Sequence, residues 1–227
     1  CGACGYAGCQ NFAQAVVEGK SAINCCIPGG SDTAKAIGKI LGREVECSEP
    51  MVAAVFCIGD REKAASSFIY DGIQDCRIAE TYGGGFKDCP YGCLGLGTCV
   101  AACPFEALRM GSNGLPEVDL EKCTGCGLCK EACPRGIMKM VPREEKGHLV
   151  RCNSLDRGRA VSKACQVGCI GCGACVKACP QEAIVMENNL AVIDLDLCND
   201  CGKCSQMPSG MHNSPGWHRG KTDGEYQ

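Results

Sequence analysis

Three runs of closely spaced cysteines in this chain each close on the pair Cys-Pro, at Cys103-Pro104, Cys133-Pro134 and Cys179-Pro180. Thiols crowded at that spacing require a fold of short loops wrapped around something they can all bind. Cys123, Cys126, Cys129 and Cys133-Pro134 spell C-x2-C-x2-C-x3-C-P, the run in which three thiolates hold one [4Fe-4S] cube and the fourth reaches a second. A fourth run, Cys198, Cys201 and Cys204, lacks its last cysteine, and Pro208 follows Met207 instead.

Cysteine supplies 25 of 227 residues, a density found in disulfide scaffolds and in metal or cluster proteins. An odd count in tight groups followed by Pro argues against pairing. Zinc sites need two C-x2-C pairs per ion, whereas three ligands in one short run plus a distant Cys-Pro fit a cube. Thiolate ligation implies a reducing compartment, so the cysteines should face the cytoplasm. With only 5% aromatic residues and an apolar fraction inflated by cysteine, a large independent core is not expected. The clusters should therefore supply much of the cohesion, and the apo chain should be largely disordered. A formal net charge of -3 without a basic stripe gives no reason to expect a nucleic-acid partner. No run of eighteen apolar residues occurs, so this stretch is not expected to span a bilayer itself. It opens on Cys1, already spaced like a ligand, which suggests that something upstream was removed.

Residues 1–45 read as a first unit. Cys1, Cys4 and Cys9 lead into a helical stretch over 10–20, where Phe12, Ala13, Val16 and Val17 recur at helical spacing, and then into Cys25-Cys26-Ile27-Pro28-Gly29-Gly30. Ser31 and Asp32 are placed to cap a second helix through Leu41, with Ala34, Ile37, Ile40 and Leu41 on its apolar side and Gly42 ending it. Residues 46–85 read as a connector with a buried-strand candidate at 51–58, a polar helical stretch, and Gly83-Gly84-Gly85. Those glycines lack the G-x-G-x-x-G pattern or lysine of a phosphate loop.

From residue 76 the chain repeats itself. Cys89, Cys93, Cys99 and Cys103-Pro104-Phe105-Glu106-Ala107-Leu108 return as Cys165, Cys169, Cys175 and Cys179-Pro180-Gln181-Glu182-Ala183-Ile184, and Cys76 returns as Cys152. Downstream, LPEVDLEKC returns as LAVIDLDLC, each reading as a short strand. The expected class is α+β: a small N-terminal [4Fe-4S] domain followed by two tandem 2[4Fe-4S] ferredoxin-like modules, at 86–141 and 148–205. Residues 142–147 read as a charged, solvated linker, and 206–227 as a disordered tail.

In a two-cluster ferredoxin each cube takes three cysteines from one run and the Cys-Pro cysteine from the other. Applied here, the rule groups Cys89, Cys93, Cys99 and Cys133, and separately Cys123, Cys126, Cys129 and Cys103. In the second module it groups Cys198, Cys201, Cys204 and Cys179, but leaves Cys169, Cys172 and Cys175 without a partner near position 208. Cys165 either completes that set or is an idle buried thiol; spacing leaves both open. Gly125 and Gly127 should allow tight turns between ligands. Cys25, Cys47, Cys57, Cys76 and Cys152 have no cluster-like spacing and read as ordinary buried thiols. His148, His212 and His218 are not expected to be ligands.

Cys1-x2-Cys4-x4-Cys9-x16-Cys26, with Gly5-Tyr6 and the Pro28-Gly29-Gly30 tail, resembles the N-terminal cluster domain of the B subunit of the Rnf complexes. The tandem modules resemble the extended, clostridial form of that protein, over residues 1 to about 205. The resemblance implies a [4Fe-4S] site at Cys1, Cys4, Cys9 and Cys26, and up to five cubes in all, the one at Cys169, Cys172 and Cys175 being the site in doubt. It also implies a membrane-bound assembly that oxidises reduced ferredoxin, reduces NAD and pumps sodium ions or protons. Its partners would be ferredoxin, membrane subunits and an NAD-reducing subunit, and its place the cytoplasmic face of the membrane, below an N-terminal anchoring helix. With no acid, base or nucleophile constellation in the sequence, the chain would act as a wire and flavin and NAD chemistry would fall to partners.

A free-standing polyferredoxin would explain the modules but not the first 45 residues. A corrinoid-pathway protein would need a cobamide-binding barrel for which this length leaves no room, and a zinc-binding interaction module would lack sulfide. Residues 206–212, read one nucleotide later, would give the K-C-P-x-x-C-I ending of a ferredoxin module, so the tail is expected to be a frameshifted reading. An intact mass ending in Asp-Gly-Glu-Tyr-Gln would exclude a sequencing error.

Overall fold

The computed structural model describes residues 2–45, 49–143 and 147–206. Cys1, Cys47, the middle of the expected linker, His212, His218 and the reading-frame question from 207 onward lie outside the described residues.

The first unit is a pair of helices joined by two 3-10 turns. Helix α1 (Cys9–Val17) buries Phe12, Ala15 and Val16 while Val17 is exposed. The 3-10 turns Ile23–Cys25 and Ile27–Gly29 lead into α2 (Gly30–Leu41). Gly42 ends α2 in the left-handed conformation, its N–H returning to Gly38 O, as a C-terminal glycine does. The helix begins at Gly30, so Ser31 and Asp32 lie in its first turn rather than capping it. Ile40 is 83% exposed, against the expectation that it faces the core. The buried stripe runs through Ala34 and Gly38, because Val45 folds back against Gly38 and takes the place a larger apolar face would have filled.

The strand expected in the connector is β1 (Met51–Val55), and it belongs to the first module's sheet. After it come α3 (Cys76–Thr81), α4 (Thr98–Ala101), the hairpin β2 (Leu108–Met110) and β3 (Pro116–Val118), α5 (Leu128–Ala132) and β4 (Met138–Pro142). Strands β1 and β4 pair antiparallel, with Val52 opposite Val141 and Val55 opposite Met138. This pair is the floor of the main core, where Val52, Ala53, Ala54, Ile137 and Met138 are almost fully buried. Pro142 therefore ends a strand instead of starting a linker. Arg143 is fixed too: its N–H donates to Pro50 O at 2.7 Å, and its guanidinium donates to the carbonyls of Leu120 and Cys123.

The second module repeats α4 as α7 (Ala174–Ala178) and the β2–β3 hairpin as β5 (Ile184–Glu187) and β6 (Leu190–Ile193), with α6 (Gly158–Ala164) ahead of them where the first module has no helix. Asn188 and Asn189 turn that hairpin at positive φ, where asparagine is the tolerated non-glycine residue. The repeat extends to backbone conformation, since Glu106 and Glu182, equivalent residues after each Cys-Pro, share left-handed φ values of 52° and 51°. The connector seats one module on the other: Ala65 N–H donates to Ala164 O, Gln166 N–H donates to Lys63 O, and Ala64 bridges Cys165.

Candidate metal centres

Cys103, Cys123, Cys126 and Cys129 line one hollow under β1. The loop that presents them turns twice at positive φ, at Gly125 (73°) and Gly127 (79°), before α5 begins. Gly125 also lies so close to Met51 O that a Cβ there would strike the strand backbone. The loop is held down by Ala53 N–H, which donates to Cys123 Sγ at 3.4 Å. Gly125→Ala is expected to cost about 1–2 kcal/mol for the left-handed residue alone, before the clash, and to lower the iron retained per chain during anaerobic gel filtration.

A second hollow is lined by Cys76, Cys93, Cys99 and Cys133. Three of these are thiols that the ferredoxin rule groups together; where the rule puts Cys89 as the fourth, the structure brings Cys76 instead. Position 96, where x2 spacing would put a cysteine between Cys93 and Cys99, is leucine, and Cys76 supplies the missing thiol from α3. Asp75 caps α3 through Arg77 N–H at 2.8 Å, Thr98 Oγ1 donates to Asp75 Oδ1, and Cys76 N–H donates to Thr98 Oγ1 at 2.6 Å. Thr98, 6% exposed, thus ties the start of α3 to the helix that carries Cys99. Arg77 beside Asp75 holds that carboxyl well below the usual carboxylate range, so the cap stays charged at any working pH.

The turn that carries Cys89 is held by Arg135, which follows Cys133-Pro134. Its buried guanidinium donates to Cys89 O at 2.9 Å, to Gly92 O at 2.7 Å, to Gly84 O and to the Glu80 carboxylate at 2.6 Å. That clamp fixes the 89–92 turn, and Cys89 lies with Cys57, Cys152 and Cys165 on a separate hollow. Spacing presents Cys57, Cys76 and Cys152 as plain buried thiols; the structure places all three on cysteine-lined hollows. One signal could have found them: Cys76 and Cys152 occupy equivalent places in the repeat.

In the second module Cys179, Cys198, Cys201 and Cys204 line one hollow, as their spacing groups them. His148 lines it too, with Nε2 3.1 Å from Asp200 Oδ1. Cys169 and Cys175 are buried and Cys172 is exposed; the place near 208 where their partner is expected lies outside the described residues, and Cys165 is not beside them but on the hollow with Cys89. In the first unit Cys4, Cys9 and Cys26 are free thiols on or beside α1 and the 3-10 turns. A Cβ on Gly29 would fall 2.9 Å from Cys26 Sγ and 2.5 Å from Thr33 Oγ1, so the Pro28-Gly29 turn packs directly on that thiol.

Burial pushes the thiols up, Cys93 and Cys129 to about 12 and Cys89, Cys99 and Cys204 to about 11, with neighbouring thiols adding to the effect. Each must lose a proton when iron binds. Four thiols lining one hollow can hold an inorganic cube, which accepts and releases one electron. Amide N–H groups aimed at sulfur, from Ala53 to Cys123 and from Ile137 to Cys133 at 3.3 Å, are the contacts that tune such a group.

Comparison with known proteins decides the family. The chain is 51% identical over 214 residues to the B subunit of the proton-translocating ferredoxin:NAD(+) oxidoreductase complex of Clostridium ljungdahlii, covering 92% of this chain and 75% of that protein. It belongs to the family of Rnf complex B subunits. The Na(+)-translocating counterpart of Acetobacterium woodii is 48% identical, covering 90% of this chain and 61% of that protein. The B subunit of the ion-translocating oxidoreductase complex of Methanosarcina acetivorans is 45% identical, covering 90% and 77%. Within the chain, a 4Fe-4S dicluster family matches residues 90–140, another 4Fe-4S dicluster family matches 168–207, and a putative Fe-S cluster family matches 1–28. As a member of the Rnf family the chain carries several [4Fe-4S] clusters and serves electron transfer in a membrane-associated complex.

Proposed function

We propose that this chain takes electrons from reduced ferredoxin and relays them from cube to cube to membrane subunits of an ion-translocating ferredoxin:NAD oxidoreductase, at the cytoplasmic face of the membrane. The observation that carries the reading is the series of four-cysteine hollows running through both modules, preceded by the N-terminal cysteine unit. The cubes would be held by Cys76, Cys93, Cys99 and Cys133; by Cys103, Cys123, Cys126 and Cys129; by Cys179, Cys198, Cys201 and Cys204; and by Cys1, Cys4, Cys9 and Cys26. Cys169, Cys172 and Cys175 would bind another together with a fourth ligand.

In this reading the protein's share of the work is to space the cubes, exclude water and aim amide hydrogens at sulfur. Electrons enter at a tandem module and leave through the N-terminal cube. Among the described residues no helix is long and apolar enough to cross a membrane. The two most similar relatives named above divide between proton and sodium translocation, which agrees with coupling on a partner rather than in this chain.

The double variant Cys4→Ser/Cys26→Ser, assembled in the complex, is expected to abolish ferredoxin-driven NAD reduction while reduced ferredoxin still reduces the remaining cubes, read by electron paramagnetic resonance. Unimpaired NAD reduction would overturn the exit through the N-terminal unit.

A further inference from the structure

We propose that Cys57, Cys89, Cys152 and Cys165 hold a further [4Fe-4S] cluster, lodged between the two ferredoxin modules and announced by no sequence motif. The inference rests on the cluster-wire reading above and adds to it a connection between modules. The four thiols come from four separate segments, yet line one hollow.

The surroundings have the features of a ligand set. Cys57 Sγ accepts Cys93 N–H at 3.4 Å, and Cys152 Sγ accepts both Ser154 N–H at 3.5 Å and Cys169 N–H at 3.4 Å. Those are the same contacts that Cys123 and Cys133 receive, and amide donors of this kind stabilise sulfur carrying negative charge. Gly59 leaves the wall open: a Cβ there would fall 3.0 Å from Cys165 Sγ and 3.8 Å from Cys57 Sγ. Buried Lys87 donates to Gly59 O at 2.8 Å, and Arg151 Nε donates to Val55 O at 3.2 Å, so two cations stand by a site whose thiolates and cube bring net negative charge.

The repeat explains how the set arises. Cys89 and Cys165 are equivalent residues of the two modules, brought face to face. Cys152 is the counterpart of Cys76, but the second module has Cys172 where the first has Leu96, so the position that Cys76 fills in the first module is already a cysteine in the second, and Cys152 lines this hollow instead. Cys57, just beyond β1, closes the set. A cube here would take one electron from a cube of one module and give one to a cube of the other, while its Fe–S bonds tie the modules together.

The test uses the full chain purified without oxygen. Cys57→Ser and Cys152→Ser should each lose about four iron and four sulfide, and the double variant should lose no more than either, because both break one site. Unchanged iron, or a double loss in the double variant, overturns the proposal. In wild-type protein, stepwise chelation followed by alkylation and peptide mapping should unmask Cys57, Cys89, Cys152 and Cys165 together; unmasking at different stages overturns it even if the variants do not fold. A chain with iron only at the motif sites refutes this inference alone, whereas a chain without iron and sulfide refutes the cluster reading itself.

Discussion

Stripping iron from the chain under anaerobic conditions is expected to abolish its cooperative unfolding transition and most of its far-ultraviolet circular dichroism, with the second module lost first. Three of the seven buried residues of the second module's core are Cys169, Cys175 and Cys204, and the apolar remainder is Val150, Ile184, Leu190 and Ala191. The first module keeps the larger core around the β1–β4 pair, with Val52, Ala54, Ile137 and Met138 packed beside its thiols. The reason for the collapse is linkage: ligands are gathered only in the folded state, so cluster-binding energy is folding energy. In the folded chain burial raises the Cys93 and Cys129 thiols to about 12, so once the iron is gone they are neutral and hold nothing together. Hydrogen exchange should show protection surviving longest at 51–55 and 138–142. A cooperative, fully structured apo chain would contradict this account.

Cys76→Ser should remove one cube, about four iron and four sulfide per chain. Adding Cys133→Ser should cost nothing more, since both thiols line the same hollow. Cys89→Ser combined with Cys133→Ser should remove two cubes, because Cys89 lies on a different hollow. Grouping by sequence rule alone predicts no loss from Cys76→Ser and a single cube lost from the Cys89/Cys133 pair, so iron, sulfide and resonance signals of these two variants separate the assignments. Thr98→Val should weaken the same site without touching a ligand, since Thr98 Oγ1 accepts Cys76 N–H and donates to the Asp75 cap. Its expected loss is roughly 10–100-fold in iron affinity, typical for a supporting contact.

Much of the site was legible because thiols three residues apart on a glycine-containing loop can reach one another without help from the rest of the fold. Cys123, Cys126 and Cys129 with Cys103, and Cys198, Cys201 and Cys204 with Cys179, line the hollows that their spacing suggested. The second strand of each hairpin was legible as an alternating apolar run, and β1 as a buried-strand candidate. What escaped was the membership of isolated thiols. Cys57, Cys76 and Cys152 each stand alone in sequence, and a lone cysteine is indistinguishable there from a small core residue. Cys89 precedes Cys93 at a plausible spacing, yet it lines a different hollow, and Arg135, 46 residues away, binds its carbonyl.

The residues by themselves determined the chemistry. Runs of cysteine closing on proline, repeated in tandem, specify loops that gather thiolates around iron and sulfide. Only the tertiary structure showed which distant thiols share a hollow: Cys76 with Cys93, Cys99 and Cys133, and Cys89 with Cys57, Cys152 and Cys165. Local ligands are fixed by covalent spacing, which the sequence displays. The closing ligand is fixed by how helices, strands and one buried arginine pack, and packing leaves no periodic mark along the chain.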